Sequence, residues 1–211
     1  MPARPKDKKE LQKREAIGVI RASRFVRRYA HSHKPINIQT INRIHAEIFK
    51  DAWPEIAGEY RTENVEITHS KHLPPHYSRI SEQMSRFGAE LEKSLEDCEL
   101  VEGFILDINN ESKERLDAIG KILNLAARVH HMITWIHPYR EGNGRTARLA
   151  GNLVLERYGI VGLSIKIELA DKERYRKCLA QADKEDYNPL LDLIVEGIVD
   201  RYKGVSMKFY K

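Results

Sequence analysis

One segment of the chain, residues 137–148, combines side chains that could bind and act on phosphate groups. It reads His-Pro-Tyr-Arg-Glu-Gly-Asn-Gly-Arg-Thr-Ala-Arg. The imidazole of His137 can accept a proton as a general base, and the carboxylate of Glu141 can hold a magnesium ion that bridges phosphate oxygens. Arg145 and Arg148 supply two guanidinium groups that favour anions. The residue types therefore predict phosphate chemistry.

The spacing of these residues predicts a loop that turns into a helix. Pro138 has no amide hydrogen to give to a helix interior, and Gly142 and Gly144 provide the backbone freedom of a tight loop. Apolar residues then return at helical spacing, at Ala147, Leu149, Ala150, Leu153, Val154 and Leu155. The helix N-terminus would expose free amides and its positive dipole end, where Arg145 and Arg148, three residues apart, would point at the same anion.

Each of these residues alone has an ordinary structural explanation, such as a solvated arginine, a helix-capping asparagine or a core histidine. Their occurrence together, in this order, favours the chemical interpretation. The segment also resembles the signature of Fic-domain proteins, His-Pro-Phe-x-(Asp/Glu)-Gly-Asn-Gly-Arg-x-x-Arg, and departs from it only at Tyr139. By analogy with the family's phenylalanine, Tyr139 should point into the core, where its hydroxyl needs a partner or a route to solvent.

The resemblance implies a protein adenylyltransferase, which binds ATP with magnesium and moves AMP onto a hydroxyl of a target protein with loss of pyrophosphate. It makes His137 the base that deprotonates the hydroxyl and Glu141 the magnesium ligand. It assigns the phosphates to a set of loop and helix residues: Gly142, Asn143, Gly144 and Arg145, with Arg148 at the terminal phosphate. The target, and whether its Tyr, Thr or Ser is modified, stays open.

Two glycines select among the activities of the superfamily. Doc-like relatives, which phosphorylate their target, have a lysine where this chain has Gly144, and relatives that transfer phosphocholine have an alanine where it has Gly142. AMP transfer is therefore favoured. The alternatives are a Doc-like protein kinase and a non-catalytic regulatory protein that keeps the fold and binds nucleic acid through a basic arm.

Composition predicts one globular domain in a reducing compartment. At 211 residues and 41% hydrophobic residues, the chain can bury a core without metals or disulfides. Cys98 and Cys178 are far apart and lack metal-site spacing. No apolar run approaches the ~20 residues that cross a bilayer, and the N-terminus lacks the apolar core of a signal peptide. We expect a cytoplasmic protein.

The positive charge is concentrated at the N-terminus. Residues 1–34 hold 11 Lys or Arg against 3 Asp or Glu, a balance of +8, which leaves the remaining 177 residues of this +5 chain at −3. Apolar residues between Leu11 and Val26 predict a helix from about residue 8 to 30, and we assign residues 1–35 to a basic helical arm. Because no nucleic-acid motif accompanies the charge, we expect its apolar side to pack on the core, and nucleic-acid binding is not favoured.

The rest of the chain predicts a mainly α fold, a Fic-like helical bundle over residues 36–203 followed by a tail at 204–211. A core helix from about residue 38 is capped by Asn37 or Thr40, and helices follow near 80–95, 112–136, 145–159, 171–182 and from 189 onward. Loops are expected at 101–108 and 162–168. His45 and Glu47 are interpreted as structural residues, because nothing in their spacing ties them to residues 137–148.

An alternating stretch after Gly58 predicts a small β-hairpin. Its position before the signature resembles the Fic flap, which pairs by its backbone with the target segment over the active site. By this resemblance we assign target docking to the residues of the stretch: Thr62, Glu63, Asn64, Val65, Glu66, Ile67 and Thr68. An ordinary surface hairpin is the alternative.

Control by an inhibitory glutamate is only weakly indicated. Many Fic-like proteins carry a helix with (Ser/Thr)-x-x-x-Glu-(Gly/Asn), whose glutamate pairs with the second signature arginine, here Arg148. The nearest sequences are Glu196-Gly197, which follows Asp192, and Glu63-Asn64, which follows Glu59; neither is a full match. A separate small antitoxin-like protein, or no such control, is therefore the expectation.

Overall fold

The computed structural model of the chain describes residues 4–68, 70–102, 112–160 and 171–209, without the side chains of Asp171 and of residues 201–209. These ranges contain seven α-helices and two single 3₁₀ turns, at Pro54–Ile56 and Tyr77–Arg79. The helices are α1 (Lys8–Ala30), α2 (Ile38–Phe49), α3 (Ile80–Glu99), α4 (Lys113–Ile136), α5 (Asn143–Arg157), α6 (Asp171–Ala182) and α7 (Asn188–Phe209). The predicted mainly α class is confirmed.

The helices α4 and α5 form the centre of the bundle. They pack against each other, with α1 and α2 on α5 and with α3 and α7 on α4. Helix α5 is buried over most of its length, and Leu153, Val154 and Leu155 are fully enclosed. Because the segment 137–142 joins α4 to α5, it lies where the two most buried helices meet, and the core fixes its ends.

Helix α1, predicted as a basic arm, packs along α2 and α5. Gly18 allows the close approach, since a Cβ there would lie 1.9 Å from the carbonyl oxygen of Ile48. Arg21 donates to the carbonyl of Glu47 from Nη2 at 2.8 Å and pairs with Asp51. Most of the other basic side chains of α1 are exposed, among them Lys9, Lys13, Arg24 and Arg28. The apolar side packs on the core, as expected from the sequence.

Helix α2 begins with the cap that its sequence predicts. The side chain of Asn37 accepts from the amide of Thr40 at 3.0 Å, and the Thr40 hydroxyl accepts from the Asn37 amide at 3.4 Å. Such a reciprocal capping box satisfies two backbone donors that the first helical turn leaves without partners.

The predicted β-hairpin is absent: the described ranges contain no β-strand. Residues 59–68 form an irregular segment in which some backbone groups have other partners. The amide of Arg61 donates to the carbonyl of Pro138 at 2.9 Å, and the Arg61 guanidinium donates to the carbonyls of Glu63 and Pro75. Alternation of side chains is a local property, whereas a hairpin needs a hydrogen-bonded ladder between two strands.

Some predicted boundaries differ from those of the structure. Helix α7 runs through Phe209, so residues 204–209 of the predicted tail are helical. The predicted loop at 162–168 and most of that at 101–108 lie outside the described residues. None of the helices in the described ranges combines the length and the apolar character needed to cross a lipid bilayer.

Candidate active site

His137 ends helix α4 in an unusual backbone conformation. Its amide donates to the carbonyl of Ile133 at 3.1 Å, and its own φ of 51° and ψ of 55° are left-handed. A side-chain-bearing residue in this region costs about 1 kcal/mol or more, and such strain is concentrated at functional sites. The turn directs the chain away from the α4 axis and into the loop that leads to α5.

The hydrogen bonds of His137 determine which nitrogen can act as a base. Nδ1 lies 3.2 Å from the carbonyl oxygen of Thr134, and since a carbonyl only accepts, Nδ1 carries the proton and Nε2 the lone pair. Burial lowers the pKa of His137 below its usual value, although the bond to Thr134 opposes that effect. The imidazole is therefore neutral near pH 7 and can accept a proton at Nε2.

Tyr139 lies in the core, as predicted. It is fully buried, and its ring stacks on that of His45 with the centroids 3.9 Å apart. Its hydroxyl donates to Oδ1 of Asn42 at 2.7 Å. The departure from phenylalanine is thus accommodated by a hydrogen-bond partner on α2, as a buried phenol requires.

Asn143, predicted to bind phosphate, uses its side chain to close the loop. Its Oδ1 accepts from the amide of Tyr139 at 2.9 Å, and its Nδ2 donates to the carbonyl of Tyr139 at 2.7 Å. The side chain is buried, so it shapes the loop. What Asn143 can offer an anion is its backbone amide, at the first residue of α5.

Gly142 and Gly144 differ in how well a side chain would fit at each position. Gly142 has a φ of +80°, and a Cβ there would lie 2.3 Å from the ring of Phe49, so no other residue fits without rearrangement. Gly144 has no such clash; a Cβ there would lie 3.5 Å from Nη1 of Arg148. The guanidinium of Arg148 is therefore beside the anion loop.

The two arginines do not point at the same place, contrary to the expectation from their spacing. Among the described residues no carboxylate pairs with Arg148, whose pKa is lowered by burial and which remains a cation. Arg145 instead donates from Nη1 to Glu15 at 2.8 Å and from Nη2 to Glu141 at 3.3 Å, with its guanidinium over the ring of Phe49. Helix packing brings α1 to Arg145, and sequence spacing carries no information about that contact.

Glu141 is suited to hold a magnesium ion. Its carboxylate is 56% exposed, and its Oε1 accepts from the amide of Gly142 at 3.0 Å and from Arg145. Magnesium in phosphate-binding sites is commonly held by one or two carboxylates together with the substrate phosphates. The described residues contain no cluster of three His, Cys, Asp or Glu that could hold a metal ion.

A cavity of about 580 Å³ opens beside these residues. Its wall is formed by residues 67, 68 and 70–72, the end of α4, Gly144 at the start of α5, and one face of α6. Its lining includes His137, apolar surface and cations at the rim: Trp135, Tyr175, Leu179, Lys172, Arg176 and Lys177. A volume of this size accommodates a small molecule such as a nucleotide.

The predicted docking residues are split by the structure. Ile67 and Thr68 line the cavity, whereas Thr62 and Glu66 are exposed and Val65 is half-buried. Two others contact neighbouring segments: Glu63 pairs with Arg140 at 2.8 Å, and Asn64 accepts from the amide of Tyr77 at 3.1 Å.

Neither candidate inhibitory glutamate contacts Arg148. Glu196 forms two bonds of 2.6 Å to the guanidinium of Arg174 on α6, at an exposed position. Glu63 is paired with Arg140. Both glutamates therefore have other partners in this structure.

Arg61 links two segments of the site through contacts that the sequence did not predict. Its side chain is 4% exposed, and its Nε donates to the carbonyl of His137 at 2.8 Å. Together with the bonds to Glu63 and Pro75, this contact ties the segment before the cavity to the candidate base. All these acceptors are backbone carbonyls, which is why no charge pattern in the sequence indicates the contact.

His45 contacts the loop as well, although its spacing gave no reason to expect it. Its Nε2–H donates to the carbonyl of Glu141 at 3.0 Å, and its Nδ1 accepts from the amide of Gly58 at 2.9 Å. Burial lowers its pKa to about 4, so the ring is neutral and can both donate and accept. His45 thus supports the backbone of the loop and is not among the residues that line the cavity of about 580 Å³.

Comparisons with known proteins agree with this geometry. The profile of the Fic/DOC family matches residues 35–155, more than half of the chain. The chain is 29% identical over 196 residues to a protein adenylyltransferase Fic of Nematostella vectensis, covering 91% of this chain and 40% of that protein. It is also 29% identical over 195 residues to protein adenylyltransferase fic-1 of Caenorhabditis elegans, covering 90% of this chain and 34% of that protein. The chain spans well under half the length of these curated relatives.

A solved structure has the same fold. Residues 134–508 of Fic-1 from Caenorhabditis elegans superpose with a TM-score of 0.66 at 25% sequence identity, covering 98% of this chain and 55% of that chain.

Proposed function

We propose that this chain, which belongs to the Fic/DOC family, transfers AMP from ATP to a hydroxyl side chain of a target protein and releases pyrophosphate. The observation that carries the proposal is the cavity lined by the neutral imidazole of His137 and by Gly144 of the anion loop, with the guanidinium of Arg148 beside Gly144. The names of the curated relatives support the same activity.

In the proposed reaction the hydroxyl oxygen of the target attacks the α-phosphorus of ATP. A new oxygen–phosphorus bond forms, the bond from the α-phosphorus to the bridging oxygen breaks, and pyrophosphate leaves. Nε2 of His137 takes the hydroxyl proton, for which its neutral form and its fixed Nδ1–H are suited. The proton transfer makes the hydroxyl a better nucleophile as the bond forms.

The phosphates would be bound by the start of α5. The amides of the first helical turn and the positive end of the helix dipole favour an anion there. Arg148, a cation with no carboxylate partner among the described residues, adds charge beside Gly144. Magnesium at Glu141 would neutralise phosphate charge as the leaving group departs.

The target would dock along the segment 62–68. That segment has no strand partner within the described ranges. Just before it, Arg61 donates to the carbonyl of His137. A target chain that pairs with the backbone of this segment would bring a hydroxyl toward the imidazole. Such backbone pairing needs little side-chain specificity.

Two further proposals concern the setting of the enzyme. Because no described glutamate pairs with Arg148, inhibition, where it occurs, would come from a separate small antitoxin-like protein. The free, buried thiols of Cys98 and Cys178 fit a reducing, cytoplasmic location.

The test uses the purified chain, magnesium, a cell lysate and ATP labelled on either the α- or the γ-phosphate. AMP transfer predicts labelled protein bands with α-labelled ATP only, and none with the His137→Ala variant. Bands with γ-labelled ATP only would identify a Doc-like kinase instead. The absence of bands with both labels would contradict enzymatic transfer and favour a binding protein.

A further inference from the structure

We propose that Glu15, on α1, is a positioning residue of this site. It holds Arg145, so that Glu141 can leave the loop and bind the metal. The inference rests on the proposed function, because it concerns the metal that accompanies ATP. It gives α1 a role in the site that its distance along the sequence, 130 residues from Arg145, does not suggest.

The contact between Glu15 and Arg145 is short and shielded from solvent. Oε2 of Glu15 lies 2.8 Å from Nη1 of Arg145, with 18% and 24% of the side chains exposed. The ring of Phe49 covers the guanidinium, its centroid 4.9 Å from Cζ. A charge-assisted bond in such a place is stronger than one on an open surface.

Arg145 is shared between two carboxylates. Its Nη2 donates to Oε1 of Glu141 at 3.3 Å, and the same oxygen accepts from the amide of Gly142 at 3.0 Å. Glu141 is much more exposed than Glu15, with 56% of its side chain accessible, so it is the partner that can move. Oε1 has two lone-pair sites and two donors, so it must release at least one of these contacts to coordinate a cation.

Glu15 lowers the free-energy cost of moving Glu141 from Arg145 to a metal ion. When Glu141 turns to a metal, Arg145 keeps one carboxylate and is not left as an unpaired, partly buried charge, which would be costly. Without the charge of Glu15, Arg145 would depend on Glu141 alone and would hold it in the loop. The local charge would also become more positive by one unit, which opposes a cation and does not oppose the phosphates.

The experiment compares the full chain with its Glu15→Gln variant by calorimetric titration. ATP binding is measured first with a chelator and then as a function of Mg²⁺. We expect metal-free ATP affinity to stay within about twofold, and the Mg²⁺ concentration for half-maximal enhancement of binding to rise about fivefold, the effect of roughly 1 kcal/mol of lost pairing.

Two variants serve as controls. Glu10→Gln removes a carboxylate of the same helix that pairs with Arg14 at 2.8 Å, and it should leave the Mg²⁺ requirement unchanged. Adding Arg145→Gln to Glu15→Gln removes the guanidinium that would hold Glu141, so the Mg²⁺ requirement should return toward that of the unmodified chain. If Glu15→Gln does not fold, Glu15→Asp, with an expected intermediate shift, tests the same coupling.

An unchanged Mg²⁺ requirement with a lower melting temperature would show that Glu15 only packs α1 against α5. A lower Mg²⁺ requirement would show that it competes for the site. Either result overturns the inference. If the unmodified chain binds ATP with magnesium but transfers no AMP, only the proposed function fails; if it binds no ATP, both fail.

Discussion

His137 has the properties of a general base before any substrate arrives. Its left-handed backbone turns the ring toward the cavity edge, its bond to Thr134 fixes the tautomer, and burial keeps the ring neutral. Each property comes from a neighbour within the last turn of α4 or from the packing around it. The residue type suggests a base, and the surroundings make it usable.

We predict that His137→Ala abolishes AMP transfer and leaves ATP affinity nearly unchanged, because the imidazole acts on the hydroxyl and not on the phosphates. Since alanine is strained at a φ of 51°, His137→Asn, which tolerates this conformation, controls for backbone effects and should be equally inactive. Transfer and ATP titration measure the two quantities. Retained transfer in both variants would refute the assignment.

The pH dependence of transfer follows from the same residue. Burial lowers the pKa of His137 from its usual value, so the active, neutral form dominates at pH 7 and is lost only at a pH below the usual range of a histidine. We expect the rate of AMP transfer to be flat from pH 7 to 8 and to decline at more acidic pH. A rate that instead rose on acidification would assign the base elsewhere.

The position of Glu196 leads to a prediction about control. Because its carboxylate is paired with Arg174 on the exposed side of α6, Glu196→Gly should change the transfer rate by less than about twofold. Initial rates at saturating ATP are the measurement, with Arg174→Gln as the matched variant from the other side of the pair. A large activation by Glu196→Gly alone would show that this chain carries its own brake.

At the scale of elements, the loop between α4 and α5 is held from three directions. His45 on α2 binds the carbonyl of Glu141, Arg61 binds that of His137, and Asn143 on α5 binds the backbone of Tyr139. Three side chains from different parts of the chain thus hold three backbone carbonyls of the loop. A loop fixed in this way can bind an anion without first ordering itself.

Two glycines with positive φ allow the cost of backbone strain to be measured apart from the cost of overpacking. Gly142 (φ +80°) faces Phe49, whereas Gly159 (φ +74°), after α5, has open space around it. We predict that Gly159→Ala costs about 1–2 kcal/mol of unfolding free energy through strain alone. Gly142→Ala should cost about 1–3 kcal/mol more through overpacking and should weaken ATP binding. Urea denaturation and ATP titration test both, and equal losses in the two variants would contradict the packing argument.

At the scale of the whole molecule, buried histidines make the fold sensitive to acid. Burial lowers the pKa of His45 to about 4 and that of His130 to about 3, from an ordinary value of 6.5. Between these values and 6.5 the unfolded chain binds protons that the folded chain does not. Stability therefore rises with pH across this window and is lost as the pH falls.

We predict that each of the two histidines lowers the unfolding free energy by about 2 kcal/mol at pH 5 relative to pH 8. Urea denaturation at both pH values measures the loss in the unmodified chain. A His45→Gln variant, whatever its stability at pH 8, should lose about 2 kcal/mol less on acidification. An identical loss would mean that His45 does not contribute to the pH dependence.

The sequence by itself determined what depends on neighbouring residues. The helices could be predicted from apolar periodicity, the cap at Asn37 from residue type, and the turn from loop to helix at Gly142 from its glycines. The signature at 137–148 identified the family, and the resemblance predicted the buried ring of Tyr139, whose hydroxyl needed a partner or a route to solvent. Each of these predictions rests on residues close together in the sequence, whereas the partner of the Tyr139 hydroxyl, Asn42, lies 97 residues away.

Only the tertiary structure decided which distant residues meet. The contacts of Glu15 with Arg145, of His45 with Glu141 and of Arg61 with His137 join residues 76–130 positions apart. The described ranges also contain no hairpin: the amide of Arg61 is paired with the carbonyl of Pro138, and the carbonyl of Glu63 with the guanidinium of Arg61. Such pairings follow from how the helices pack, and a local sequence pattern does not determine that packing.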